Sequence, residues 1–291
     1  MTSPWLELDA DRCRSCGGCA AVCRTGALDC DFRSHALRAE YQSRAATDLP
    51  SIALACRHVD LAGVEDATCA MLCLGGLSAG DLLAAAALGV EQIHLISADC
   101  RECPDATAET ALDLAVSAAE ETMAALDLPL VFERTRLPGH EPRAAATSPT
   151  VSRRGLLRYL ARGLERAVAD GVAPRDPERS ISTLHKQGAP PGAHQRLIGD
   201  LAVLQSRRCG SAVRLPLSLP LASVVANAKC DACGLCPRYC PHGALAIEGN
   251  SVVANPNRCT GCGLCVEVCP RSAVRMGPAL LSPRRLPAED H

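Results

Sequence analysis

Residues 230–241 read CDACGLCPRYCP and residues 259–270 read CTGCGLCVEVCP, so one spacing, C-x2-C-x2-C-x3-C-P, occurs twice, with 18 residues between Cys240 and Cys259. Three thiols two residues apart can line one tight loop, while the next cysteine opens a short helix and points away from it. Each run is therefore expected to hold three corners of a cubane iron-sulfur cluster and to lend its fourth cysteine to the other run. Gly234, Gly261 and Gly263 let backbone N–H groups approach the sulfurs. Zinc needs only four ligands per site and gives no reason for a doubled eight-cysteine pattern with trailing prolines.

Over residues 224–277 the chain resembles the bacterial two-cluster ferredoxins. Position by position, that resemblance implies one 4Fe-4S cluster on Cys230, Cys233, Cys236 and Cys269, and a second on Cys259, Cys262, Cys265 and Cys240. Pro241 and Pro270 match the closing prolines of the family, and Ala244 to Ile247 matches its short strand between the runs.

A third run, CRSCGGCAAVC at Cys13 to Cys23, repeats the spacing without a closing proline. Thr25 and Gly26 follow, and no second run appears for more than 200 residues, so the ferredoxin pattern is only half present here. Cys13, Cys16 and Cys19 are expected to bind a cluster. Three closures stay open: Cys23 completes that cluster, Cys23 reaches a neighbouring one, or Cys30 supplies the last ligand from a hairpin at Ala27 to Arg38.

The segment after it reads as strand, helix, strand, helix, strand. Ser51 to Cys56 is an unbroken apolar run, Ser78 and Asp81 have the S-x-x-D form of a helix start, and Gly89 stops that helix. Gln92 to Ala98 predicts a second strand, Asp105 to Leu126 a long helix, and Leu130 to Glu133 a third strand. This order predicts a small parallel sheet. Cys56 and Cys100 fall at the carboxyl ends of strands, where open α/β sheets place ligands. Cys103 follows closely, and Cys69 and Cys73 are expected in the loop before the capped helix, so five cysteines converge on one rim.

Residues 50–104 resemble the delta subunit of methyl-viologen-reducing hydrogenases. That resemblance implies a subunit that wires a hydrogenase to heterodisulfide reductase through a 2Fe-2S cluster. The chain departs from it by lacking a second cysteine after the first strand and by having Cys69 in addition. The rim cluster is accordingly expected as 2Fe-2S or 4Fe-4S. His58 and His94 suit a Rieske-like set in residue type, but His94 lies inside an apolar strand and reads better as a satisfied core residue. Gly75 to Gly80 lacks the G-x-G-x-x-G order, which excludes a dinucleotide site there. Cys30 and Cys209 are isolated and read as structural.

Nineteen cysteines are an odd number, against a fully paired disulfide framework, and they suit metal thiolates in a reducing compartment. Met1 to Asp11 lacks the pattern of a signal peptide, and no window of 18 consecutive apolar residues occurs, so the expectation is a cytoplasmic protein without a membrane span. Aromatic residues make up 2%, which leaves few platforms for stacking nucleic-acid bases. Residues 134–214 hold 15 Arg and Lys against 6 Asp and Glu. Within them Pro138 to Pro149 reads as a linker, and Leu156, Leu157, Leu160, Leu164 and Val168 lie on one face of an amphipathic helix with Arg154, Arg158, Arg162 and Arg166 on another. That helix is expected to dock a partner subunit. A shorter helix is expected at Gln195 to Gln205.

The expected architecture is α+β ferredoxin-like iron-sulfur domains flanking a small α/β domain with a parallel sheet. An N-terminal half-ferredoxin segment covers 1–45, the α/β domain 46–135, a basic linker with the amphipathic helix 136–215, and the two-cluster 4Fe-4S ferredoxin domain 216–291. The expected function is electron transfer, as a multi-cluster relay subunit of a larger oxidoreductase of hydrogenase, heterodisulfide reductase or formate dehydrogenase type. Its partners would be redox proteins or other subunits, not nucleic acid. No catalytic residue is assigned. Rival readings are a reductase with chemistry at an unusual rim cluster, and an iron-sulfur redox sensor, the latter weakened by the lack of a DNA-binding element.

Overall fold

The computed structural model describes residues 13, 16–24, 28, 31–45, 50–59, 68–71, 73–101, 103, 108–138, 188–208 and 212–281. The basic amphipathic helix, the linker beyond Pro138, Cys30 and Cys209 lie outside the described residues.

Four parallel strands form the central sheet: β1 (Ser51–Cys56), β2 (Thr68–Met71), β3 (Gln92–Ser97) and β4 (Val131–Arg136), in the order β2-β1-β3-β4. β1 and β3 are the inner pair, in register from Ser51 opposite Gln92 to Ala55 opposite Ile96. Their apolar runs suit strands covered on both faces, and Ile52, Leu54, Ile93 and Leu95 are almost fully buried. β4 is an edge strand, mostly exposed and carrying Glu133, Arg134 and Arg136, charges that discourage pairing with another chain. It runs three residues beyond the Leu130 to Glu133 expected from the sequence.

β2 was not expected. It moves Cys69 out of the loop and into a strand, opposite Leu54 of β1. The Ala27 to Arg38 hairpin is not found either: Asp31–Ala45 is a helix, α2, which follows the five-residue α1 (Gly18–Val22). α2 buries Leu37 and Tyr41, one turn apart, while most of its other described side chains are polar.

α3 (Ala79–Ala87) begins with the capping box read from the sequence. Ser78 Oγ accepts from the Asp81 N–H at 3.2 Å, and the Ser78 N–H donates to Asp81 Oδ2 at 3.0 Å. α4 (Ala108–Leu126) and α5 (Gly192–Ser206) complete the helices around the sheet, α5 a little longer than the Gln195 to Gln205 helix expected. α5 packs on α3, and Arg207 just beyond it donates to the Ala86 and Ala87 carbonyls at 2.7 and 2.6 Å, closing the carboxyl end of α3. Arg38 of α2 grips Asp200 of α5 with two bonds, at 2.7 and 2.9 Å. One apolar core takes Tyr41, Leu54, Leu83, Ile93 and Leu126 together with Leu201, Leu204, Leu219 and Leu281. Residues after 190 thus help build the sheet's core.

The last part of the chain is a set of short antiparallel pairs. β5 (Val213–Arg214) pairs with β10 (Leu280–Leu281), β6 (Ser223–Ala226) with β9 (Val274–Gly277), and β7 (Leu245–Glu248) with β8 (Ser251–Ala254). α6 (Leu235–Tyr239) and α7 (Leu264–Glu267) each follow a cysteine loop. A second, small core gathers Val224, Leu245, Val252 and Val274 around Cys236 and Cys265. Among the described residues no helix is long and apolar enough to cross a membrane.

Candidate metal centres

In the C-terminal region the residue after each run's second cysteine is a glycine in the left-handed region. Gly234 has φ +78 and Gly263 φ +81, and each precedes the helix that carries the third cysteine. The two runs face each other. A cavity of about 320 Å³ is lined by Cys230, Cys233, Cys236 and Cys269, and a second of about 330 Å³ by Cys259, Cys262, Cys265 and Cys240. Each cavity therefore takes three thiols from one run and the fourth from the other.

The fourth cysteines are held by the turns that follow them. The Ala244 N–H donates to Cys240 Sγ at 3.2 Å, and the Ala273 N–H to Cys269 Sγ at 3.3 Å. Backbone donors, the Ala273 N–H first, hold the Cys269 thiol below its ordinary range. Burial acts in the opposite sense on the inner thiols. It raises Cys236 and Cys259, and burial with the neighbouring Cys259 pushes Cys265 up to about 11. Such crowded thiols become thiolates together only around a cationic core, and a soft all-sulfur donor set suits iron-sulfur clusters.

The N-terminal run repeats the backbone of the other two. Gly17 has φ +81 and opens α1, which carries Cys19, and the Leu28 N–H donates to Cys23 Sγ at 3.4 Å. The donor stands five residues after the cysteine instead of four. Arg24 stands where Pro241 and Pro270 stand in the other runs. Its guanidinium donates to the Leu217 and Leu219 carbonyls at 3.0 and 3.3 Å. This long-range tie was missed from the sequence. Its one signal there is a cation in the register of a proline.

On the sheet's rim, a cavity of about 400 Å³ is lined by Cys56, Cys73, Cys100 and Cys103. Four of the five expected cysteines meet there, and Cys69, held in β2, does not line it. Cys56 ends β1, Cys73 precedes a 3-10 turn at Leu74–Gly76, and Cys100 lies just past β3. Gly75 is required in that turn, because a Cβ there would sit 2.5 Å from the Ala108 carbonyl oxygen at the start of α4. His58 and Glu109 also line the cavity, and burial, then Glu109, raises the Cys100 thiol. His94 is away from it: Nδ1 lies 3.1 Å from Glu133 on the neighbouring strand, with the side chain about a third exposed, so it is a partnered surface residue and not a core one.

Among the described residues no group of three or more His, Cys, Asp or Glu side chains stands at the spacing of a single metal ion. The eight C-terminal cysteines share that wider spacing, which suits a polynuclear centre whose irons and sulfides separate the ligands.

Comparison with known families agrees at both ends of the chain. The family model for a 4Fe-4S dicluster domain matches residues 229–273, and that for a 4Fe-4S binding domain matches residues 6–29. The chain thus carries two ferredoxin-type 4Fe-4S domains, one near each end. No curated protein and no solved structure matches the chain.

Proposed function

We propose that the chain is a multi-cluster electron relay, a cytoplasmic subunit of a larger oxidoreductase that passes single electrons between redox partners. Its ligand sets are Cys230, Cys233, Cys236 and Cys269; Cys259, Cys262, Cys265 and Cys240; Cys13, Cys16, Cys19 and Cys23; and, for a 2Fe-2S or 4Fe-4S centre, Cys56, Cys73, Cys100 and Cys103. When bound, such clusters take up and release one electron at a time at potentials set by their surroundings. The observation that carries the reading is the rim cavity: four thiols surround a space close in size to the two cavities of the dicluster domain. The hydrogenase-delta resemblance of residues 50–104 favours a hydrogenase or heterodisulfide reductase partner.

Iron and sulfide counts on anaerobically purified chain test this. About 8 irons correspond to the C-terminal pair alone, about 12 add the N-terminal centre, and about 14 to 16 add the rim. A well-folded preparation with about 12 irons would remove the rim centre, and one with none would remove the function. A second reading, a reductase acting at the rim, draws on His58 and Glu109 beside the four thiols, groups able to move protons. Turnover by the isolated, loaded chain would favour it.

A further inference from the structure

We propose that Arg24 is a positioning residue that couples the N-terminal centre to the C-terminal centre on Cys259, Cys262, Cys265 and Cys240, making the first cysteine run the junction between the ferredoxin domain and the rim. The inference rests on the relay reading and adds an order to it.

Arg24 immediately follows the last cysteine of its run, and its guanidinium donates to three successive carbonyls, those of Leu217, Ser218 and Leu219, at 3.0, 3.5 and 3.3 Å. Its Nη1 also lies 3.2 Å from where a Cβ on residue 261 would stand. Residue 261 is glycine with φ +69, in the loop between Cys259 and Cys262. Any larger side chain there would meet the guanidinium. With glycine, the cation rests against the backbone that presents two of the thiols. One residue therefore reaches from the end of one cysteine run to the ligand loop of another.

The opposite side of the first run touches the rim. A Cβ on Gly18 would stand 3.8 Å from Cys16 Sγ and 3.5 Å from the Gly75 carbonyl oxygen. Gly75, with Cys73 and Leu74, lines the four-cysteine rim cavity. A sulfur of the first run and the wall of the rim cavity thus lie within 4 Å of one point.

Electron tunnelling falls exponentially with the gap, so a residue that fixes the gap governs the rate. A reduced centre carries one more negative charge than an oxidised one, and a fixed cation beside it favours the reduced form, which raises the potential. Arginine supplies both the charge and a planar fork that spans several carbonyls. Lysine supplies the charge without the fork.

The test uses the full-length, fully loaded chain under anaerobic conditions, comparing the parent with Arg24→Gln and Arg24→Lys. A potentiometric titration followed by electron paramagnetic resonance gives the potential of each centre, and flash reduction gives the rate of electron exchange between the N-terminal and C-terminal centres. Arg24→Gln is expected to lower the potential of the centre on the Cys259 loop and to slow exchange by roughly tenfold or more at unchanged iron content. Arg24→Lys should restore the potential and leave exchange slow. Parent-like potential and rate in a fully loaded Arg24→Gln variant would overturn the proposal. If Arg24→Gln does not load, a loaded Arg24→Lys variant exchanging at the parent rate would overturn it as well. The relay reading fails on other evidence, a loaded parent chain whose centres exchange no electrons at all.

Discussion

The runs that begin at Cys13, Cys230 and Cys259 bend the backbone alike and are completed differently. In all three the residue after the second cysteine is a glycine, at φ +81, +78 and +81, and it opens a short helix carrying the third cysteine. In the two C-terminal runs the fourth cysteine is followed by proline, accepts the amide four residues on, and lines the cavity of the other run. The N-terminal run has arginine in place of proline, an amide donor one residue further on, and no second run to exchange with. A left-handed glycine in this spacing is enough to curl three thiols into one loop. Completing the centre is a tertiary matter, supplied at the carboxyl end by duplication and at the amino end by contacts with distant segments.

The largest expected effect breaks this comparison at the fourth cysteine. Cys269→Ser should remove the centre of Cys230, Cys233 and Cys236, about four irons, and leave the centre of its sequence neighbours intact. Cys23→Ser, with no partner run, should remove only the N-terminal centre. Cluster-resolved electron paramagnetic resonance decides both, and loss of the Cys259 to Cys265 centre in the first variant would refute the exchange.

Next in size is Gly75→Ala, which separates the N-terminal run from the rim. The new methyl would lie 2.5 Å from the Ala108 carbonyl oxygen, so the 3-10 turn must lift off α4. Overpacking of this kind costs about 1–3 kcal/mol. The variant should melt earlier without air and lose the rim signal, while the C-terminal pair stays loaded. A rim signal unchanged in shape would mean that the turn does not shape the cavity.

Much of this was legible in the sequence because iron-sulfur ligation imposes its own spacing, and because β1 and β3 are apolar runs too continuous for surface segments. The Ser78 and Asp81 capping box was legible for a similar reason, since its two bonds are local. What escaped notice was set by distant contacts. β2 is only four residues long, and nothing in Thr68 to Met71 marks it as a strand until Leu54 and its neighbours stand beside it. α2 was mistaken for a hairpin because its apolar stripe is narrow, marked by Leu37 and Tyr41. Arg24 could be noticed only as a cation in the place of a proline, since its acceptors lie more than 190 residues away.

A smaller effect sharpens the contrast in how the C-terminal run is tied to the rest of the chain. His194 of α5 places Nδ1 3.2 Å from the Pro220 carbonyl oxygen and Nε2 3.0 Å from that of Asn257, two residues ahead of Cys259. Burial holds this imidazole below the ordinary histidine range, the two carbonyls oppose that shift, and the nearby His242 adds to it. As pH falls through about 6.5, the unfolded chain takes up a proton that the native site resists, so stability declines from there downward and is unaffected by this group at higher pH. His194→Gln should cost about 1 kcal/mol at pH 7.5, through a lost hydrogen bond, yet show a flatter decline between pH 7.5 and 5.5. A decline as steep as the parent's would assign the pH dependence elsewhere.

The smallest effect concerns the ferredoxin domain's own counterpart to Arg24. Arg271, two residues after Cys269, places Nη2 2.7 Å from Asp231 Oδ2, next to Cys230. It therefore ties a fourth cysteine to the loop of the run it serves, as Arg24 ties the first run to the Cys259 loop. The difference is one of acceptors and of need. The Arg271 pair is exposed, with side chains 56% and 41% accessible, and the segments it joins are already held by the β6–β9 pairing and by shared ligation. Arg24 binds neutral carbonyls whose attraction depends little on salt, and it joins segments that sequence alone would leave apart. Arg271→Gln should therefore lower stability by less than about 1 kcal/mol, and the loss should vanish at about 1 M salt, where screening already removes the pair's benefit. Thermal midpoints of parent and variant, measured without air at low and high salt, make the comparison. A large, salt-independent loss would show that the duplicated runs, too, depend on a side-chain clasp to keep the exchanged cysteine in place.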